Sequence, residues 1–305
     1  MPSMLKDSST SLTGARQTMM SWARVIDSLE AVPEIFKTPY QALAGTDGAV
    51  PYTVLAPAQA SARNRKSRER LLCEIGGTFF VLERNGQQVD TTGYRYADIR
   101  SLELGNVLLY SWFSFSGRTV DGIEAAASVE FNEATRRHFE PFFNKMRPAP
   151  AGSGSPDLKL EQDRFDTLAL ENFKFMNFAR GSLVRGERVI QFLYQPLNRL
   201  KTASVLGRGI YLTLTLAHLT ILTDKEIILI GDAEGIAEKQ RSKYGGVWRY
   251  LPLRCLDSIS LEDQPRDILR LTFHVSPGIR VERLFEASRR GEIENLKKAV
   301  ETLPV

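Results

Sequence analysis

Laid one over the other, the two halves of the 305-residue chain present the same kinds of segment in the same order, and that order constrains the fold more than any single motif. Tyr52–Pro57 (YTVLAP) matches Gln191–Pro196 (QFLYQP), with Pro57 falling on Pro196. Thr78–Gly86 matches Glu226–Glu234. Tyr94–Leu104 (YRYADIRSLEL) matches Leu251–Leu261 (LPLRCLDSISL), which sets Ile99, Ser101, Leu102 and Leu104 on Leu256, Ser258, Ile259 and Leu261. Val107–Phe115 then matches Ile268–Ser276, and Ser128–Arg137 matches Glu282–Gly291, each leading into a terminal helical pattern. A period of roughly 150 residues means duplicated domains and not a solenoid. What recurs is apolar patterning, while no acid, His or Cys recurs at a matched position. A duplicated active site leaves a trace in both copies, so the repeat favours a binding module.

The texture along the chain is mainly β with a few helices. Met1–Gly14 is expected to be disordered. From Gln17 to Val32, apolar residues including Met19, Met20, Trp22, Ile26 and Leu29 recur at spacings of three and four, which predicts an amphipathic helix ended by Pro33. A second short helix is expected over Glu34–Leu43. After Gly45 come short β-branched and aromatic runs, read as strands at Pro51–Pro57, Leu71–Ile75, Thr78–Arg84, Gly93–Ile99, Ser101–Leu104, Val107–Phe115 and Glu124–Phe131. Asn85-Gly86 between two of them is a hairpin signal. A helix follows Asn132, with Phe139, Phe142, Phe143 and Met146 on one face, and Pro141 is expected to kink it or delay its start. Pro148–Pro156 (PAPAGSGSP) reads as a linker. Beyond it the pattern predicts a helix over Leu160–Phe178, strands at Glu187–Gln195, Gly209–Leu216, His218–Thr223, Lys225–Gly231, Val247–Leu253, Leu256–Leu261, Ile268–Val275 and Ile279–Phe285, and a closing helix over Glu286–Leu303. The division expected is 1–45 for a disordered start and N-terminal helical arm, 46–147 for module one, 148–160 for the linker, and 161–305 for a helical lead-in and module two.

This order of a first strand, a loop, meandering strands and one closing helix resembles the pleckstrin-homology (PH) superfold, in particular bacterial PH-like domain proteins. Leu251–Leu261 (LPLRCLDSISL) is similar to the strand of such domains that pairs with the preceding hairpin. The resemblance covers about two thirds of the chain and implies an α+β protein of two tandem PH-like β-barrel or roll modules, each closed by a C-terminal helix. One departure bears on function: eukaryotic PH domains commonly carry Trp in the closing helix, whereas the tryptophans here are Trp22, Trp112 and Trp248.

Two constellations stand out. Arg63, Arg65, Lys66, Arg68 and Arg70, interrupted only by Glu69, give a local excess of +4, equal to the net charge of the whole chain. By the repeat this cluster occupies the loop after the first strand of module one, and the matching loop of module two holds Arg199, Lys201 and Arg208. The PH resemblance implies that such loops hold an anionic head group, for which guanidinium and ammonium groups are suitable donors. Along Val107–Phe115, strand alternation sets Leu109, Ser111, Phe113 and Phe115 on one face and Leu108, Tyr110, Trp112 and Ser114 on the other. The matched strand of the second half puts Leu269, Leu271, Phe273 and Val275 on its core face and Arg270, Thr272, His274 and Ser276 outside. The face with Leu109, Phe113 and Phe115 therefore reads as an unusually apolar outer face, expected to meet a cover, either the N-terminal helix or the Phe173–Phe178 segment of the same chain, or a dimer or protein partner.

The remaining signals exclude more than they assign. Basic residues number 40 against 36 acidic ones, an excess too small to predict nucleic-acid binding. Cys73 and Cys255 make no disulfide framework and read as small buried hydrophobes on strands, and the three histidines lack zinc spacing. The first sixteen residues lack an apolar stretch, and no run reaches the roughly 18–20 apolar residues of a spanning helix. No nucleophile elbow, Walker loop, metalloprotease helix or dinucleotide fingerprint occurs. The expectation is therefore a cytoplasmic, non-enzymatic binding or scaffold protein without metal or cofactor. It would touch an anionic membrane face or a protein partner through the basic loops, with a homodimer as one form of partnership. The alternatives are a metal-dependent hydrolase of a phosphorylated substrate and a purely structural oligomerising protein.

Overall fold

A computed structural model describes residues 22–45, 50–58, 67–148, 156–205, 208–232 and 245–303. The expectations for Met1–Gly14, Met19, Met20, Arg63, Arg65, Lys66 and the heart of the linker lie outside the described residues. Among the described residues strand is the dominant structure, with five short α-helices, so the chain is α+β.

The first half is a meander. Arg24–Ile26 (β1) pairs with Thr53–Ala56 (β2), followed in antiparallel order by Arg70–Ile75 (β3), Thr78–Asn85 (β4) and Gln88–Val107 (β5). Gly86, at φ 65, supplies the left-handed residue that the predicted β4–β5 turn needs. β5 is 20 residues long and serves two arrays. Its first part pairs with β4. Beyond irregularities between Tyr94 and Ser101 it pairs with Tyr110–Thr119 (β6), which pairs with Glu124–Asn132 (β7). Bulges bend a strand and increase its twist, so one strand reads in sequence as two, Gly93–Ile99 and Ser101–Leu104. Glu140–Met146 (α2) closes the half, with Pro141 in its first turn, where a missing N–H costs nothing. Pro141 thus delays the helix, and a 3-10 turn capped by the Asn132 side chain precedes it.

The second half repeats the order. Val189–Gln195 (β8), His218–Thr223 (β11), Glu226–Gly231 (β12) and Gly245–Pro252 (β13) make a four-stranded antiparallel array. Leu256–Gln264 (β14), Ile268–Val275 (β15) and Ile279–Glu286 (β16) make a separate three-stranded sheet, and Arg290–Thr302 (α5) closes it. A 3-10 turn after Pro252 breaks the chain where β5 ran through. Between β8 and β11 stands a hairpin, Asn198–Val205 (β9) and Arg208–Thr215 (β10), of which the sequence announced only the second strand. A helix precedes the first long strand of each half: Glu34–Ala44 (α1), and Leu158–Asp163 (α3) with Ala169–Ser182 (α4). The helix expected over Leu160–Phe178 is thus broken, first by a 3-10 turn and again at Asn172, whose φ of −159° is extended.

β5 and β13 pair antiparallel from Leu102–Tyr250 to Val107–Gly245, so one sheet of eleven strands runs across both halves. Its exposed edges are β1, β7 and β8. The arrays are open, which corrects the expected closed barrels. One core joins Phe113, Phe115 and Phe139 to Phe175, Ile221, Ile228 and Tyr250 across the seam. A second lies under α5 and a third between α1 and the outer face of β1–β4. Cys73 is buried on β3, whereas Cys255 is half-buried in the turn after Pro252 and not on a strand.

The predicted N-terminal helix is a second correction. Within Trp22–Val32, Arg24–Ile26 is a strand and Leu29–Ala31 a 3-10 turn capped by Ser28. β-branched Val25 and Ile26 add a strand to the edge of β2, and Ile26 packs with Phe36 and Tyr40. The helical spacing arose because Ala23 and Ile26 enter different cores.

Candidate functional site

The described part of the first basic cluster is partly offset by carboxylates of its own hairpin. The β3–β4 register sets Arg70 opposite Glu83, and Arg70 Nε donates to Glu83 Oε2 at 2.7 Å. Arg68 reaches the other oxygen of the same carboxylate, and Arg84 Nη1 lies 3.2 Å from Glu69 Oε2. Three cations thus share two carboxylates on this rim.

The matching loop of the second half is built differently. Among the described residues β9 and β10 pair with no other strand and form a two-stranded ribbon. Lys201 lies opposite Tyr211, Leu200 opposite Leu212 and Arg199 opposite Thr213. Alternation therefore places Leu200, Ile210 and Leu212 on one face and Arg199, Lys201 and Tyr211 on the other. The aliphatic face is bare: Leu200 is 44% exposed, Ile210 50% and Leu212 37%, and Tyr211 reaches 56%. Arg199 and Lys201 are also exposed, and Arg208 opens β10 opposite Val205. Gly209 permits this shape, since a Cβ there would sit 2.7 Å from the Tyr211 ring. The ribbon is rooted at its base by Gln195, which donates to Thr215 Oγ1 at 3.2 Å and accepts from the Glu286 N–H at 3.0 Å.

The predicted aromatic face is resolved by burial. Phe113 and Phe115 are 0% and 2% exposed and pack with Phe79, Tyr94, Phe131, Phe139 and Phe143. They are core, and neither is available as an interface. Their cover is α2 and the turn before it, and neither of the two covers expected. Leu109 alone of the three is exposed, in the β5–β6 turn beside Leu108, which holds φ 57 without being glycine. This turn borders a shallow cavity of about 470 Å³ on the seam, lined by Asn106, Leu108, Phe173, Lys174, Phe178 and Trp248. Phe178 meets Trp248 edge-on at 4.6 Å, and Lys174 Nζ pairs with Asp232 at 2.6 Å.

Sequence reasoning missed a buried ionic cluster under the seam. Arg147, which follows the last residue of α2, donates from Nε to Glu226 at 2.9 Å and from Nη2 to Glu187 at 3.2 Å. Its guanidinium lies 4.1 Å from the Tyr250 ring centroid. Both carboxylates are wholly buried. Burial, and then the Glu226 charge, push the Glu187 carboxyl up to about 9 against the opposing pull of Arg147, so it holds a proton at neutral pH. On the far side of the second array, burial and the Arg283 charge hold His218 down to about 3. Its Nε2 bonds the Leu284 carbonyl at 2.9 Å. Among the described residues, no three His, Cys, Asp or Glu side chains gather as a metal site, and no helix is long and apolar enough to cross a membrane. Neither models of known protein families nor the curated proteins give a match to this sequence, and the reading of the site rests on its geometry.

Proposed function

We propose that the chain is a non-enzymatic binding or scaffold protein of two PH-like units that seats the β9–β10 hairpin on an anionic membrane surface. The observation that carries this reading is the hairpin's composition by face, with bare Leu200, Ile210 and Leu212 on one side and Arg199 and Lys201 on the other. The PH-like reading is supported by the order common to both halves: a four-stranded meander, three further strands and a terminal helix. In that order the hairpin occupies the loop after the first strand, where PH-like domains hold anionic head groups.

A cation near an anionic leaflet contributes about 1 kcal/mol, and each half-exposed aliphatic side chain about 1 kcal/mol more on leaving water. The test is co-sedimentation with phosphatidylcholine vesicles with and without phosphatidylserine. Arg199→Gln with Lys201→Gln is expected to weaken partitioning about 30-fold. Leu200→Ser with Leu212→Ser should weaken it comparably but leave the salt dependence in place. Equal binding to neutral vesicles, or none to anionic ones at low salt, overturns the reading.

A further inference from the structure

The two halves treat one equivalent strand edge differently. In the sequence overlay Ser101–Leu104 falls on Ser258–Leu261, so the later part of β5 corresponds to β14. The outer edge of β5 is covered by β13, and directly across that seam Arg249 Nε donates to Glu103 at 3.1 Å. β14 pairs only with β15, and among the described residues no strand lies on its other side.

An open edge presents unpaired N–H and C=O groups, and folds usually blunt such edges with lysine, proline or a bulge. β14 has a register irregularity between Leu256 and Ser258, and Pro265 lies just beyond it. The stretch between, Ser258–Gln264, is in regular register with β15 and contains neither Lys nor Pro. Ile259 and Leu261 fix it to the core beneath, while Asp257, Glu262 and Asp263 are exposed. Arg270 and Arg290 approach the last two, yet the Glu262 and Asp263 side chains remain 57% and 78% exposed.

This charge selects the occupant. A second copy pairing β14 with β14 about Ser260 would set Asp257 against Asp263, and like charges directly opposite are destabilising. The position equivalent to Glu103 is Ser260, and a strand whose arginine or lysine lay opposite it would set that cation diagonally beside Glu262 on the same face. We propose that the outer edge of β14, Ser258–Gln264, accepts an extended basic segment of a partner protein by antiparallel strand addition.

The probe is a synthetic peptide with the sequence of residues 246–252 (GVWRYLP), the strand that covers the equivalent edge in this chain. It is titrated into the full-length protein by fluorescence anisotropy and located by amide hydrogen exchange. The expected result is binding below about 1 mM, with exchange slowed over Ser258–Gln264. Glu262→Lys with Asp263→Lys should weaken it about tenfold, as should glutamate in place of arginine in the peptide against the unaltered protein. The peptide variant keeps the test valid if the protein variant folds poorly. No binding, an affinity indifferent to both reversals, or slowed exchange confined to Arg100–Val107 through displacement of β13 would overturn the proposal.

Discussion

Arg147 shows how much of the molecule hangs on a residue that is unremarkable in sequence. Its carboxylate partners lie 40 and 79 positions away, so no local pattern pairs them. Two titrations follow from this cluster and from His218, with opposite signs. His218 is neutral in the fold, whereas in the unfolded chain it takes up a proton below about 6.5. Unfolding then binds a proton, and stability falls as pH drops from 6.5 towards 3, by at most about 1.4 kcal/mol per pH unit. Glu187 keeps a proton that the unfolded chain gives up above 4.5, so its contribution is complete below 4.5 and is lost as pH rises to about 9. The slopes oppose each other from 4.5 to 6.5, and above 6.5 only the Glu187 decline remains. Urea midpoints measured between pH 5 and 9 should show that decline in the native chain and a flattened one in Glu187→Gln. An equally steep fall in the variant would mean that the fold holds no such proton.

At the scale of elements, Gly105 and Trp112 show why β5 and β6 can lie so close beside the seam. A Cβ at Gly105 would stand 2.0 Å from the Trp112 ring, and the indole uses that space to donate to Glu103 at 3.2 Å. The same Glu103 receives Arg249 across the seam, so the glycine indirectly orders the β5–β13 pairing. Gly105→Ala should cost about 1–3 kcal/mol in a denaturation series and red-shift the tryptophan emission as the ring swings out. On a Trp112→Val background the same change should cost little, the non-additivity that identifies a direct clash. Most elements were legible, because period-two patterns and turn residues such as Asn85-Gly86 are local signals. β9 was missed because Asn198–Val205 is mixed in character and gains strand pairing only from β10. Along Val107–Phe115 both faces are apolar, and periodicity cannot say which one meets α2. The loop cations were found by charge, but the pairing of Arg68 and Arg70 with Glu83 depends on a register the sequence does not print.

The common order of segments in the two halves was visible in sequence, but their joining was not, because β5 and β13 each read as an ordinary strand and their pairing spans some 140 residues. The contacts that cross this junction include the β5–β13 ladder, the Glu103–Arg249 pair, the common core and the Arg147 cluster. A hinge between two independent domains would need few such crossings. The thermodynamic consequence is that the halves unfold together, with a calorimetric enthalpy equal to the van 't Hoff value. Arg147→Ala removes the cation from two buried carboxyls and should cost about 3–5 kcal/mol. In a coupled molecule that loss lowers one transition as a whole. Two separate transitions, of which the substitution moved only one, would show that the seam does not bind the halves into a single folding unit.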